Sequence, residues 1–192
     1  MTSVNHLWYL GHQAAQRSEQ IYHRLDDRYD GYMEPTHHRS VSRRRFETLT
    51  NRILESGVPY GAHTLVYRPT GELLLVRHEG VDQWVLPGGG IRHGETYRDA
   101  AERELHEEAG VEASFDGLAM LTRVEIHCED TDCWGVVPIF EAKARSDDLE
   151  VADPDDEISA ADWFRRLPDD TRDRKDLQAW RAARTDLPEA TN

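Results

Sequence analysis

Apolar positions along the chain change their spacing near residue 57. Before it, Leu7, Leu10, Ala14, Ile21 and Leu25 approximate a helical stripe, and Trp8, Tyr9, Tyr22, Tyr29 and Tyr32 add aromatic bulk. Glu34-Pro35-Thr36 interrupts the pattern. A second helix is expected from about Ser40 to Glu55, with Phe46, Leu49, Ile53 and Leu54 on one side and Gly57-Val58-Pro59 as its stop. The two helices predict a hairpin over residues 1–57, set ahead of a main domain over residues 58–192.

After residue 60 the texture is that of strands. Ala62–Tyr67 reads as one strand and Leu73-Leu74-Leu75-Val76 as a short buried one, with the turn Pro69-Thr70-Gly71 making a hairpin of the two. Trp84-Val85-Leu86-Pro87 runs into the triple glycine Gly88-Gly89-Gly90. A helix follows, with Thr96 as N-cap, Asp99 three residues on and Gly110 as its stop. Further strands are expected near Met120–His127, Gly135–Ala144 and Ala161–Phe164, an acidic loop over Val151–Glu157, and a last helix over Arg172–Arg184.

Charge narrows the classes of partner. The chain holds 37 acidic against 23 basic residues, a net charge of -14, and its only lysines are Lys143 and Lys175. Such a surface suits concentrated salt, because the screening length falls to about 3 Å near 1 M ionic strength. It argues against duplex nucleic acid, whose phosphates need a basic face. The run Arg43-Arg44-Arg45 is the local exception and reads as a solvated helix face. No apolar stretch reaches the roughly 18 residues of a membrane span, and the N-terminus lacks the pattern of a secretory signal, so the expected location is the cytoplasm. Cys128 and Cys133 flank Glu-Asp-Thr-Asp and could meet across a hairpin loop, but a reducing compartment does not favour their disulfide. With His127 they are too few for a zinc site.

The chemistry concentrates in Gly89–Val111, GGIRHGETYRDAAERELHEEAGV. At 100° per residue, Glu104, Glu107 and Glu108 share an arc of roughly 100°. Ala101, Leu105 and Ala109 occupy the adjacent arc and look buried, so the acidic face borders the core. Three like charges on one face repel, and a divalent cation would relieve them; hard Mg²⁺ prefers such oxygen ligands. Gly88, Gly89 and Gly90 permit backbone conformations closed to other residues and let a cation or a phosphate approach the chain.

This stretch resembles the Nudix box, G-x5-E-x7-R-E-U-x-E-E-x-G-U with U apolar. Gly89, Glu95, Arg103, Glu104, Leu105, Glu107, Glu108, Gly110 and Val111 meet its nine specified positions. Chance agreement at ordinary composition is below about one in a million. The resemblance extends over roughly Tyr60–Leu167 and implies an α/β fold: an α/β/α sandwich with a mixed sheet, here preceded by the N-terminal helical hairpin. It implies hydrolysis of a nucleoside diphosphate-linked or related phosphoanhydride, by water attack in line at phosphorus. By the same resemblance, Glu104, Glu107 and Glu108, with the Gly88 carbonyl, hold Mg²⁺, for which Mn²⁺ can substitute. Arg103 orients one of those glutamates, while Gly89, Glu95 and Gly110 shape the box. The box does not fix the general base: Glu104, Glu108 or an outside carboxylate can serve, and Glu157 is the outside candidate. Arg77, at a strand end, is a candidate for a substrate phosphate.

Substrate markers are missing. A proline about 15 residues past the box goes with ADP-ribose, but the first here is Pro138; a tyrosine there goes with dinucleoside polyphosphates, but none follows Tyr97. The expected partner is a small nucleotide-type molecule, with a homodimer as the expected assembly. The rival reading is a Nudix-fold regulator that senses a nucleotide without cleaving it, although such proteins commonly lose box glutamates. A non-hydrolytic isomerase of this fold would need a catalytic cysteine and histidine motifs that the chain lacks.

Overall fold

The computed structural model describes residues 2–187, with side chains from residue 6 onward. Four helices, α1 (Thr2–Asp26), α2 (Arg43–Ser56), α3 (Tyr97–Ala109) and α4 (Arg174–Ala183), surround a mixed sheet. The strands are β1 (Thr36–Ser40), β2 (Ala62–Tyr67), β3 (Leu73–His78), β4 (Gln83–Val85), β5 (Gly88–Gly89), β6 (Ala113–Cys128), β7 (Thr131–Ala144) and β8 (Ile158–Phe164). The sheet runs β1-β6-β7-β2-β3-β4, with β5 on β2 and β8 on β3. β1/β6 and β2/β7 are parallel, and the remaining pairs are antiparallel.

The apolar run of β3 has its reason in the layers. Leu73 and Leu75 pack with Leu177 and Trp180 of α4, while Leu74 and Val76 pack with Leu105 and Ala109 of α3. Successive strand residues point to opposite faces, so a strand covered on both is apolar at every position. β2 repeats the arrangement, with Leu65 and Tyr67 toward α4 and Val66 toward α3. The hairpin of β2 and β3 exists but is narrow: Tyr67 opposite Leu73 is its single register pair, while β2 pairs with β7 over His63–Tyr67 and β3 with β8 over Leu73–His78.

The two N-terminal helices form as expected. α2 starts on Ser42, whose hydroxyl accepts from Arg45 N, and stops at Gly57 in the left-handed region. Between them the chain is not a simple connection. Residues 36–40 form a strand parallel to β6, with His38 opposite Glu125. Leu7 and Ala14 of α1 and Phe46, Leu49 and Ile53 of α2 bury Val124, Ile126, Cys128 and Cys133 of the β6–β7 ribbon. That ribbon is longer than the sequence pattern indicates, beginning at Ala113 through register shifts at Phe115/Gly117 and Leu118/Met120. Cys128 and Cys133 are free and buried; burial pushes the Cys133 thiol up to about 12, which makes it unreactive. Among the described residues, no helix is long and apolar enough to cross a membrane.

Candidate active site

α3 is fixed at both ends by its own sequence. The Thr96 hydroxyl accepts from Asp99 N, and Asp99 accepts from Thr96 N, a complete capping box. Gly110 closes the helix at φ 67°. Ala100, Ala101, Leu105 and Ala109 are buried, and so is Glu108. Helical spacing then brings Glu104 and Glu108 under the glycine loop, with Glu107 beside them on Arg103.

At Gly88 the loop can lie there only as glycine. A Cβ on Gly88, at φ 154°, would come within 2.5 Å of Ala62 O and His63 Nδ1. A Cβ on Gly89 would sit 2.5 Å from Glu104 Oε1, so the missing side chain leaves the notch that this carboxylate enters. Gly88 N donates to Glu108 Oε2 at 2.9 Å.

Arg103 ties the box together. Its Nε and NH2 donate to the two oxygens of Glu95 at 2.6 and 3.0 Å, a bidentate pair. Its NH1 reaches Glu104 Oε1 at 2.7 Å and Glu107 Oε2 at 3.2 Å, and NH2 also donates to Gly90 O at 2.9 Å. The paired hydrogen bonds of Arg103 thus go to Glu95, and Glu104 and Glu107 receive single ones from it. Glu95 also accepts from Arg92 N, and the Arg103 guanidinium holds its carboxyl down to about 2. Arg92, which the sequence pattern leaves unmarked, donates through NH1 and NH2 to Glu107 at 3.1 and 3.3 Å.

The electrostatics leave the inner carboxylates short of positive charge. Burial raises Glu108 to about 8 against the Gly88 hydrogen bond, helped by the charges of Glu104, Asp153 and Glu157. Glu104 is raised too, by burial first, despite Arg103. Glu104 against Gly89 and Glu108 against Gly88, both carboxyls reluctant to ionise unaided, offer oxygens of the kind a hard divalent cation takes. Mg²⁺ suits that donor set.

The outlying candidates sit apart from this cluster. Glu157 is exposed, its Oε2 3.5 Å from His78 Nε2, and bears on Glu108 through its charge. Asp153 organises that loop, accepting from the backbone N–H groups of Asp155, Glu157 and Ile158. Arg77 is forked between Asp82 and Asp170, so both ends of its guanidinium are engaged. His63 is a site neighbour with no sequence signal: desolvation lowers it against backbone hydrogen bonds at Leu86 and Tyr60, and its ring lies against Gly88.

The family model described as NUDIX domain matches residues 58–181, more than half of the chain. A Bacillus subtilis (strain 168) protein, named provisionally as an 8-oxo-dGTP diphosphatase, is 41% identical over 55 residues, 29% of this chain and 37% of that protein. An RNA pyrophosphohydrolase of Cereibacter sphaeroides (strain ATCC 17029 / ATH 2.4.9) is 43% identical over 61 residues, 26% of this chain and 38% of its own length. The matches thus span well under half of these relatives. Among solved structures, a MutT NUDIX hydrolase from Burkholderia pseudomallei aligns at 28% identity and TM-score 0.46, over 61% of this chain and 93% of that one.

Proposed function

The chain belongs to the NUDIX domain family, and from that premise we propose that it is a divalent-metal-dependent hydrolase of a nucleoside diphosphate-linked or related phosphoanhydride substrate. The observation that carries the reading is Glu104 and Glu108 set against Gly89 and Gly88, with Glu107 tied to Glu104 through Arg103. Glu104, Glu107 and Glu108, with the Gly88 carbonyl, would hold Mg²⁺, or Mn²⁺ in its place. When bound, the cation supplies charge neutralisation at the phosphates and a more nucleophilic water at neutral pH.

The protein's own residues do the positioning. Arg103 fixes Glu104 and Glu107 from one side, and Glu95 holds Arg103 in turn. The Gly88 N–H aims one oxygen of Glu108. A carboxylate must accept the proton lost by the attacking water. Glu104, Glu108 and, outside the box, Glu157 are the candidates. The relatives named above are a nucleotide diphosphatase and an RNA pyrophosphohydrolase. Their names share phosphoanhydride cleavage, which is the chemistry proposed here. The net charge of -14 argues against duplex nucleic acid as the substrate and for a salt-rich setting.

The test is turnover with Mg²⁺, at low and at molar salt, against nucleoside diphosphate sugars, ADP-ribose, dinucleoside polyphosphates and nucleoside triphosphates, with products separated by chromatography. Cleavage of one class names the substrate. Tight binding of a panel member with no turnover would contradict hydrolysis and favour a nucleotide-sensing regulator.

A further inference from the structure

The chain carries a second charged assembly of opposite sign. Between the C-terminal half of α1 and residues 91–98 lies a cavity of about 630 Å³. Arg17, Arg24, Arg28, Arg92, His93 and Arg98 line it. Five arginines around one cavity are unexpected in a chain of net charge -14. Glu55 and Glu95 are the acidic lining residues, and Glu95 is already taken by Arg103. None of Glu104, Glu107 and Glu108 lines the space.

These arginines are not there to satisfy neighbouring acids. Among the described residues, Arg17, Arg24, Arg28 and Arg98 make no ion pair, although acids outnumber bases across the chain. Arg17 donates from NH1 to Gln20 at 3.3 Å, but its Nε is buried without a hydrogen-bond partner. A buried donor of that kind is disfavoured unless something fills it. Arg28 and Arg98 instead lie over the rings of Tyr29 and Phe115, at 5.6 and 5.3 Å. Mutual repulsion among these cations is relieved by an anion of several charges, and arginine's fork matches phosphate oxygens.

The cavity also has an apolar side. Tyr29, Tyr97 and Phe140 line it, and the Tyr29 and Phe140 rings meet edge to face at 5.9 Å. Tyr97 is fixed by donating its hydroxyl to Ser56 O at 2.9 Å. A volume in the usual range for a single small ligand, basic groups and an aromatic wall describe one mononucleotide rather than a polymer. We propose that this cavity is a second binding site, separate from the carboxylate cluster, for a nucleoside di- or polyphosphate. Its phosphates meet Arg17, Arg24, Arg28 and Arg98, and its base meets the aromatic wall. Arg92 belongs to both places, because it lines the cavity while donating to Glu107. Occupancy can therefore reach the helix through one side chain. The site itself does not depend on hydrolysis.

The test is calorimetric titration of ADP, inorganic pyrophosphate and adenosine into the full chain at low salt with chelator present, so that no divalent ion assists the carboxylates. Three proteins are compared: the wild type, the double variant Arg24→Glu/Arg28→Glu, and Glu104→Gln. Arg24 and Arg28 are exposed, so the double variant should keep its fold by circular dichroism, and Arg98→Gln is the milder second probe. The expected result is ADP binding to the wild type, tighter than pyrophosphate and far tighter than adenosine. It should weaken at least tenfold in the double variant and about tenfold in Arg98→Gln, and persist in Glu104→Gln. Absence of ADP binding, equal binding by the arginine variants, or its loss in Glu104→Gln would overturn the second site. If hydrolysis is never found while this pattern holds, the proposed reaction fails and the site stands.

Discussion

Two charged regions meet at Arg92 and are built on opposite plans. The acidic one lies on α3 and the loop just before it and is dense in hydrogen bonds: Arg103 and Arg92 span Glu95, Glu104 and Glu107, and Gly88 N–H serves Glu108. The basic one is assembled from residues 17–28 and 91–98, segments more than sixty residues apart, and apart from Arg92 its arginines make no ion pair among the described residues. A cluster with internal counter-charges is rigid before anything binds; one without them gains most from its ligand. The first plan suits positioning for chemistry and the second suits recognition.

The largest expected effect comes from removing a charge from the rigid cluster. Glu104→Gln or Glu108→Gln should lower kcat by about 10²–10³-fold, the scale for loss of one group aimed at a developing charge. Stability should hold or rise, because Gln removes a carboxylate that burial disfavours. Next is Gly89→Ala, whose methyl would enter the space of the Glu104 carboxylate. It should destabilise by about 1–3 kcal/mol, as overpacking does, and reduce turnover more than substrate binding. An unfolding midpoint and activity equal to wild type would show that the notch is not needed.

The two plans also separate by pH. In the metal-free protein Glu108 sits at about 8 in the fold, far above its value in the unfolded chain. The fold therefore binds more protons than the unfolded state between about pH 4.5 and 8, and its stability should fall as pH rises through that window and level off above it. Glu95, held at about 2, acts in the other direction and in another window: its contribution is present above the ordinary glutamate value and is lost as pH falls toward 2. Chemical unfolding at stepped pH, repeated with Glu108→Gln, should show the upper slope flattened in the variant. A wild-type stability that rises from pH 5 to 8 in this comparison would contradict the assignment. The smallest effect is expected at Arg77→Ala, whose ion pairs lie at the surface: a barely shifted unfolding midpoint, with kcat nearly unchanged. A large loss of activity there would return Arg77 to the substrate.

The contrast also explains what the sequence could tell. α3 was legible because its signals are local: Thr96 and Asp99 at one end, Gly110 at the other, and a helical spacing between them. β2 and β3 were legible as apolar runs because both faces are covered. β1 was not, since Thr36-His37-His38-Arg39-Ser40 is polar and largely exposed, an edge strand held by backbone pairing to β6. The early part of β6 was hidden because its bulges at Phe115/Gly117 break the alternation. The arginine cavity was the least legible, because no local pattern links Arg17, Arg24 and Arg28 to Arg92 and Arg98. Arg92 and His63 were missed for the same reason: only the fold brings them to Glu107 and Gly88.

The most direct test of the account is a side-by-side rate measurement. Wild type and Glu108→Gln are assayed with Mg²⁺ against the substrate panel, each folded to the same extent. The account predicts Mg²⁺-dependent cleavage of a phosphoanhydride by the wild type, reduced by about 10²-fold or more in the variant. Equal rates in the two proteins, or cleavage that persists in chelator, would contradict hydrolysis through the α3 carboxylates.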